Sequence, residues 1–215
     1  MVRIVGGVTL VALAAGLVMA FGVAPREVTQ GNVQRIMYVH VPSVWVAYLA
    51  FAVVLVASIV YLARRVDSAD RLAHASAEVG VLFTGLTIAT GSIWGKPTWG
   101  TWWTWDARLT SVSILFVMYL GYLLLRGMIE DPDQSARYAA VLGIVAAFNI
   151  PLVHFSVYWW RTLHQPPSLM KPGPGTIPGV IVAALMVNFV AFSLLYIYFV
   201  AKRVRLLRRE AEAAA

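Results

Sequence analysis

The sequence predicts an all-α, polytopic membrane protein: six transmembrane helices in a single membrane domain over residues 1–215, with both termini cytoplasmic. Three observations carry that prediction. Apolar residues make up 60% of the chain and charged residues 13%, with a mean hydropathy of +0.75. A soluble domain runs nearer ~45–50% apolar and ~25% charged, so this chain cannot cover itself with a water-facing surface. Six stretches lack Asp, Glu, Lys and Arg for long enough to cross a hydrocarbon core ~30 Å thick. Basic residues divide eleven against six between the two sets of connections, and the richer set marks the cytoplasmic side.

The first stretch, Ile4–Pro25, follows Met1-Val2-Arg3 and is longer than the core of a cleaved signal, so it is expected as an uncleaved anchor. The others are Ile36–Ala63, Val79–Gly95, Leu109–Leu125, Tyr138–Trp160 and Pro172–Ala201. Backbone groups in lipid must be satisfied within the segment, and strand-like alternation is absent, so all six are expected as helices. With the N-terminus inside, the connections Asp67–Glu78 and Arg126–Arg137 are mixed-charge, solvated inner loops. Outside lie Arg26–Arg35, a Trp-rich loop over 95–108, and a Pro/Gly-rich loop over 161–177. Any chemistry is expected on the outer face.

The net charge of +7 does not indicate nucleic acid. Arg64-Arg65 and the five basic residues between Lys202 and Arg209 sit at the ends of apolar runs, the pattern of membrane topology rather than of an RNA-reading patch. Zero cysteines exclude thiol catalysis, iron–sulfur clusters and thioether-linked haem, leaving four histidines and seven methionines as the soft metal ligands.

Five of the eight tryptophans fall between Trp94 and Trp105. An interfacial belt accounts for one or two per helix end. If the segment is helical, Trp99, Trp102, Trp103 and Asp106 share one face at i, i+3, i+4 and i+7, a π-rich platform ending in an acid. Such a surface suits a large planar apolar ligand, although a sugar-binding shelf has similar composition. The histidines divide by depth. His74 is on the inner side with Glu78 one turn later, and His154 is inside the fifth span. His40 stands at the outer entrance of the second span, and His164 opens the Pro/Gly-rich loop. Two outer histidines flanking the tryptophans, with Arg35, Arg108 and Arg161 nearby for carboxylates, fit axial ligation of a haem iron. Met37, Tyr38 and Met170 are alternative ligands close in sequence. A membrane b-type cytochrome or quinol oxidoreductase needs paired histidines deep in facing spans, and only His154 is deep. A lipid-linked glycosyltransferase needs a carboxylate cluster for its divalent metal, which is not apparent.

Trp99-Gly100-Thr101-Trp102-Trp103-Thr104-Trp105-Asp106-Ala107-Arg108 resembles the tryptophan-rich signature of the membrane haem-handling proteins of cytochrome c biogenesis. The segments Arg35–Pro42 and His154–Gln165 resemble the histidine flanks of the heme exporter protein C (CcmC) family, and the six-span length agrees. That resemblance implies a haem-transfer component rather than an enzyme, multi-pass in the bacterial inner membrane, holding haem b at its periplasmic face. It implies that His40 and His164 are the axial ligands and that Trp99, Trp102, Trp103, Trp105 and Asp106 contact haem and its recipient. Arg35 and Arg108 match family basic positions with a propionate or structural role. The implied partners are a periplasmic haem chaperone (CcmE), which bonds a haem vinyl group through its own histidine, ABC transporter subunits (CcmA and CcmB), a small single-span subunit (CcmD) and membrane lipid. No Asp, Glu, Lys or Arg lies inside the spans, so a platform fed from elsewhere is expected rather than a haem channel.

Overall fold

The computed structural model describes residues 2–164 and 177–214. Six helical spans in it are long and apolar enough to cross a membrane. The first is α1 (Val2–Leu17), which widens into a π-helical turn over Val18–Val23. A 3-10 turn, Val33–Ile36, leads into α2 (Met37–Arg64), followed by α3 (Asp67–Trp99) and α4 (Ala107–Met128). The fifth span is two helices, α5 (Pro132–Ala147) and α6 (Asn149–Trp159), and the sixth is α7 (Gly179–Ala214). Direction alternates from span to span. The start of α2, the end of α3, the start of α4 and the end of α6 therefore share one end of the bundle, which carries the Trp-rich segment.

Four boundaries differ from the sequence expectation, each for a local reason. Asp67–Glu78 is not a solvated loop but the first three turns of α3. Its charges lie on one face while Ala69, Ala73 and Ala77 are buried on the other. At the far end α3 continues past Gly95 and Pro97 and stops at Gly100, whose φ of +79° is the left-handed conformation glycine adopts without penalty. The Gly100 N–H bonds the Lys96 carbonyl at 3.0 Å, and Lys96 Nζ returns to the Gly100 carbonyl at 3.1 Å. The Trp-rich loop is thereby reduced to the stretch between Gly100 and Asp106.

The fifth span breaks at Phe148 because Pro151 has no N–H to give Ala147 and its ring crowds that carbonyl. Asn149 Nδ2 donates to the Ser111 carbonyl at 2.7 Å, tying the break to α4. Finally, α7 begins later than expected and stays helical through its charged tail. Its 36 residues span about 54 Å at 1.5 Å per residue, well beyond the bilayer core. Arg203 holds the tail through Glu78, at 2.6 and 2.9 Å, and through Glu210.

α2 is the centre of the bundle and packs on α3, α5 and α7. Without a hydrophobic drive between helices in lipid, close approach through small residues supplies the packing. A Cβ at Gly80 of α3 would lie 2.4 Å from Phe51 Cε1, and the Phe51 ring stacks on Tyr119 of α4 at 3.7 Å and 7°. At the end opposite the Trp-rich segment, Arg126 pairs with Asp70 and sits over the Tyr122 ring, while Tyr61 donates to Asp133 at 2.9 Å.

Candidate functional site

His40 sits in the first turns of α2, facing α3. Its Nδ1 is 3.0 Å from Thr90 Oγ1, its ring meets the Trp94 indole edge-on at 5.8 Å, and Gly91 leaves room for its Cε1 edge. A Cβ at Gly91 would be 3.0 Å from that carbon. Trp94 is fixed in turn, its Nε1 donating to Gln30 Oε1 at 2.9 Å.

His164 arrives from the other side of the bundle, in the segment that follows α6. Its ring packs against Trp99, the last residue of α3, at 4.7 Å and 62°. The segment is pinned at its neighbour: the Leu163 N–H donates to Asp106 Oδ2 at 3.0 Å. The Thr162 hydroxyl also donates to the His164 carbonyl at 3.1 Å. Burial, assisted by the Arg108 guanidinium, lowers the His164 pKa from 6.5 to about 4 against the opposing pull of Asp106. The imidazole is therefore neutral at physiological pH, with a lone pair to offer. Its Nδ1 is buried without a protein partner among the described residues.

The two imidazoles line one cavity of about 60 Å³. Stripes of three helices form its walls: Val44, Ala47 and Tyr48 from α2, Thr84 and Thr87 from α3, and Val112 and Leu115 from α4. Val153 of α6 closes the side, and Arg108, which has no ion-pair partner among the described residues, reaches it with the histidines. A smaller cavity adjoins through Gly91 and Leu109 and is lined by Trp99, Trp102 and Trp103.

The tryptophans do not form the single helical face that their spacing suggested. Trp99 is helical, the chain turns at Gly100, and Asp106 is the N-cap of α4, so the i, i+3, i+4, i+7 relation is broken. The Asp106 carboxylate is also not a free acid at the edge of a platform. Oδ1 accepts from the Leu109 N–H at 2.8 Å and Oδ2 from Leu163, so it joins the start of α4 to the segment carrying His164. Trp99 and Trp103 are half-buried beside the histidine cavity, whereas Trp102 is 57% and Trp105 79% exposed. Trp103 packs edge-on against Trp105 at 5.6 Å, and its Nε1 is buried without a partner among the described residues. Gln34 Oε1, Tyr38 Oη and Thr104 Oγ1, at this end, are likewise buried and without a partner among the described residues.

Arg35 is occupied elsewhere. Its guanidinium bonds the carbonyls of Ala20 and Ala24, the latter at 3.1 Å, and lies over the Phe21 ring. It caps the C-terminal end of the first span, where the helix dipole favours a cation. Met37 and Tyr38 pack toward α7 with Ile181 and Leu185 rather than toward the cavity, and Met170 lies outside the described residues. His154 is exposed on α6 against Phe155, and His74 pairs with Glu78 at 3.3 Å at the opposite end; neither lines the cavity. Sequence reasoning missed Thr90, Gly91 and Tyr48. The available signal was a row of small and hydroxyl-bearing residues, Thr84, Thr87 and Gly91, at helical spacing inside an apolar span.

The family model described as "CcmC: Heme exporter protein C" matches residues 1–215. The chain is 45% identical over 203 residues to a heme exporter protein C of Bradyrhizobium diazoefficiens, covering 94% of this chain and 77% of that one. It is 41% identical over 206 residues to that of Haemophilus influenzae, covering 95% and 84%. The corresponding Escherichia coli K12 protein is 40% identical over 163 residues, 76% of this chain and 66% of its own length. A six-span bundle with two histidines and a Trp-rich segment converging at one end thus coincides with whole-chain similarity: the chain belongs to the heme exporter protein C family.

Proposed function

We propose that this protein holds haem b as cargo at the periplasmic face of the inner membrane, between His40 and His164, and hands it to the periplasmic haem chaperone CcmE. It does so beside the ABC transporter subunits CcmA and CcmB and the single-span CcmD. The observation that carries the reading is the convergence of two imidazoles, from segments more than a hundred residues apart in sequence, on one cavity that Arg108 also reaches. The donor set suits the iron: His164 is neutral and its buried Nδ1 has no partner among the described residues, while Thr90 takes up His40 Nδ1 and so leaves Nε2 to face the iron. A cavity of about 60 Å³ does not enclose a macrocycle. Haem would therefore stand edge-on across the mouth, with one edge in the slot and Arg108 placed for a propionate. Arg35, bound to two carbonyls, serves the structural role of the two that the family resemblance allows.

The optical spectrum of the purified protein tests this. Low-spin, bis-histidine haem is expected, lost or altered in His40→Ala and in His164→Ala and preserved in His154→Ala and His74→Ala. A spectrum that depends on His154 and ignores His164 would overturn the ligand assignment.

A further inference from the structure

The seat of His40 is built from one turn of α3. Thr90, Gly91 and Trp94 meet three parts of the imidazole: the hydroxyl faces Nδ1 at 3.0 Å, the glycine lies under Cε1, and the indole edge closes on the ring. The Thr90 hydroxyl has a single hydrogen. Its Oγ1 lies 2.7 Å from the Leu86 carbonyl, one turn back, and 3.3 Å from that of Thr87. A threonine within a helix gives its hydrogen to the i−4 carbonyl, and a carbonyl can only accept. With that hydrogen used, Thr90 Oγ1 turns lone pairs toward His40, and the only matching partner is a protonated Nδ1. The opposite tautomer would set a nitrogen lone pair against an oxygen lone pair at 3.0 Å.

We propose that Thr90 is a positioning residue that locks His40 as the Nδ1–H tautomer and so presents Nε2 as the bare, metal-facing nitrogen. A histidine that ligates a metal commonly donates its other ring N–H to an oxygen, which fixes tautomer and ring orientation. Here that oxygen is a hydroxyl already anchored to its own helix, so the donor set is preorganised by α3 while the ligand belongs to α2. Gly91 supports the lock by letting the ring lie flat enough on α3 for Nδ1 to reach the hydroxyl. The use of Nε2 for iron rests on the haem-holding reading; the tautomer does not.

The test separates the two. Protein labelled with [15N]histidine, without haem, is measured in lipid nanodiscs by long-range 1H–15N correlation, with His40→Ala identifying the signal. The expected pattern is a neutral imidazole protonated at Nδ1, retained in Thr90→Ser and shifted toward the Nε2–H form in Thr90→Val. Titration with haemin then gives an affinity reduced about 10- to 100-fold in Thr90→Val, the range for loss of such a partner, and restored in Thr90→Ser. An Nε2–H signal in the wild-type protein overturns the proposal whatever Thr90→Val does. So does a Thr90→Val protein whose tautomer and haemin affinity match the wild type. Should the wild type show the Nδ1–H form and its loss in Thr90→Val but bind no haemin, the lock stands and the haem-holding reading falls.

Discussion

Asp106 is where the Trp-rich segment, the start of α4 and the His164 segment meet, and its replacement yields a graded prediction. Asp106→Ala removes two hydrogen bonds, from Leu109 N–H at 2.8 Å and from Leu163 N–H at 3.0 Å. Loss of an N-cap costs about 0.5–2 kcal/mol. The bond to Leu163 is exposed, so water replaces much of it and its share is about 0.5–1 kcal/mol rather than the larger figure for a buried charged acceptor. The sum is about 1–3 kcal/mol, of which the Leu163 share of about 0.5–1 kcal/mol falls directly on the geometry that holds His164. Asp106→Asn keeps one acceptor oxygen, so it retains the cap or the clamp but not both, and should fall between. Haem retention is measured by competition with apomyoglobin in Asp106→Ala, His164→Ala and the double variant. If Asp106 acts through His164, its effect disappears in the His164→Ala background. An undiminished Asp106 effect in the double variant would refute this reasoning and return the residue to direct haem contact.

Trp103→Ala, which empties a half-buried site beside the cavity, should weaken haem retention by about 1–3 kcal/mol, while Trp105→Ala, at 79% exposure, should leave retention unchanged and slow transfer to the chaperone. Equal effects on retention would show that exposure does not sort the two roles. Gly80→Ala drives a Cβ to 2.4 Å from Phe51 and should lower stability by about 1–3 kcal/mol in a detergent melting assay, whereas Gly7→Ala, with nothing within 4 Å, should not. A reporter fused after Ala215 should be active only in the cytoplasm. A periplasmic signal would move His40 and His164 to the other face.

Much of this fold is legible in the sequence because a bilayer admits few solutions: charge-free runs of sufficient length had to be helices. What escapes is set by interactions that hydropathy does not record. Asp67–Glu78 carries four charged residues, yet alternates them with alanines that pack inward, so a polar composition conceals a buried helical face. His40 and His164 are legible as a pair because both stand at span ends on the same side. The tryptophan face is not, because Gly100 ends one helix and Asp106 begins the next. An Asp ahead of an apolar run is a readable N-cap, and weighing it would have broken the platform at the right residue. Thr90 is hidden more deeply, since a threonine bonded to its i−4 carbonyl looks like any other in an apolar helix until His40 is found above it.

The break at Phe148 links fold to site. Along the half of the fifth span farther from the Trp-rich end, α5 packs on both α2 and α4. Beyond the break, α6 leaves α2 and stays on α4, where Asn149 bonds the Ser111 carbonyl. That shift places Val153 on the wall of the histidine cavity and delivers the chain after Trp159 to the side where Asp106 takes Leu163 and Trp99 takes His164. A proline that looks like a defect in a membrane span thus determines which neighbour the last turns follow. The two cavity histidines are held by opposite means: His40 by one turn of a long, well-packed helix, and His164 by a short segment tied through a single carboxylate and one indole. The second attachment is the weaker, so exchange of a cargo would begin there, with His164 leaving before His40.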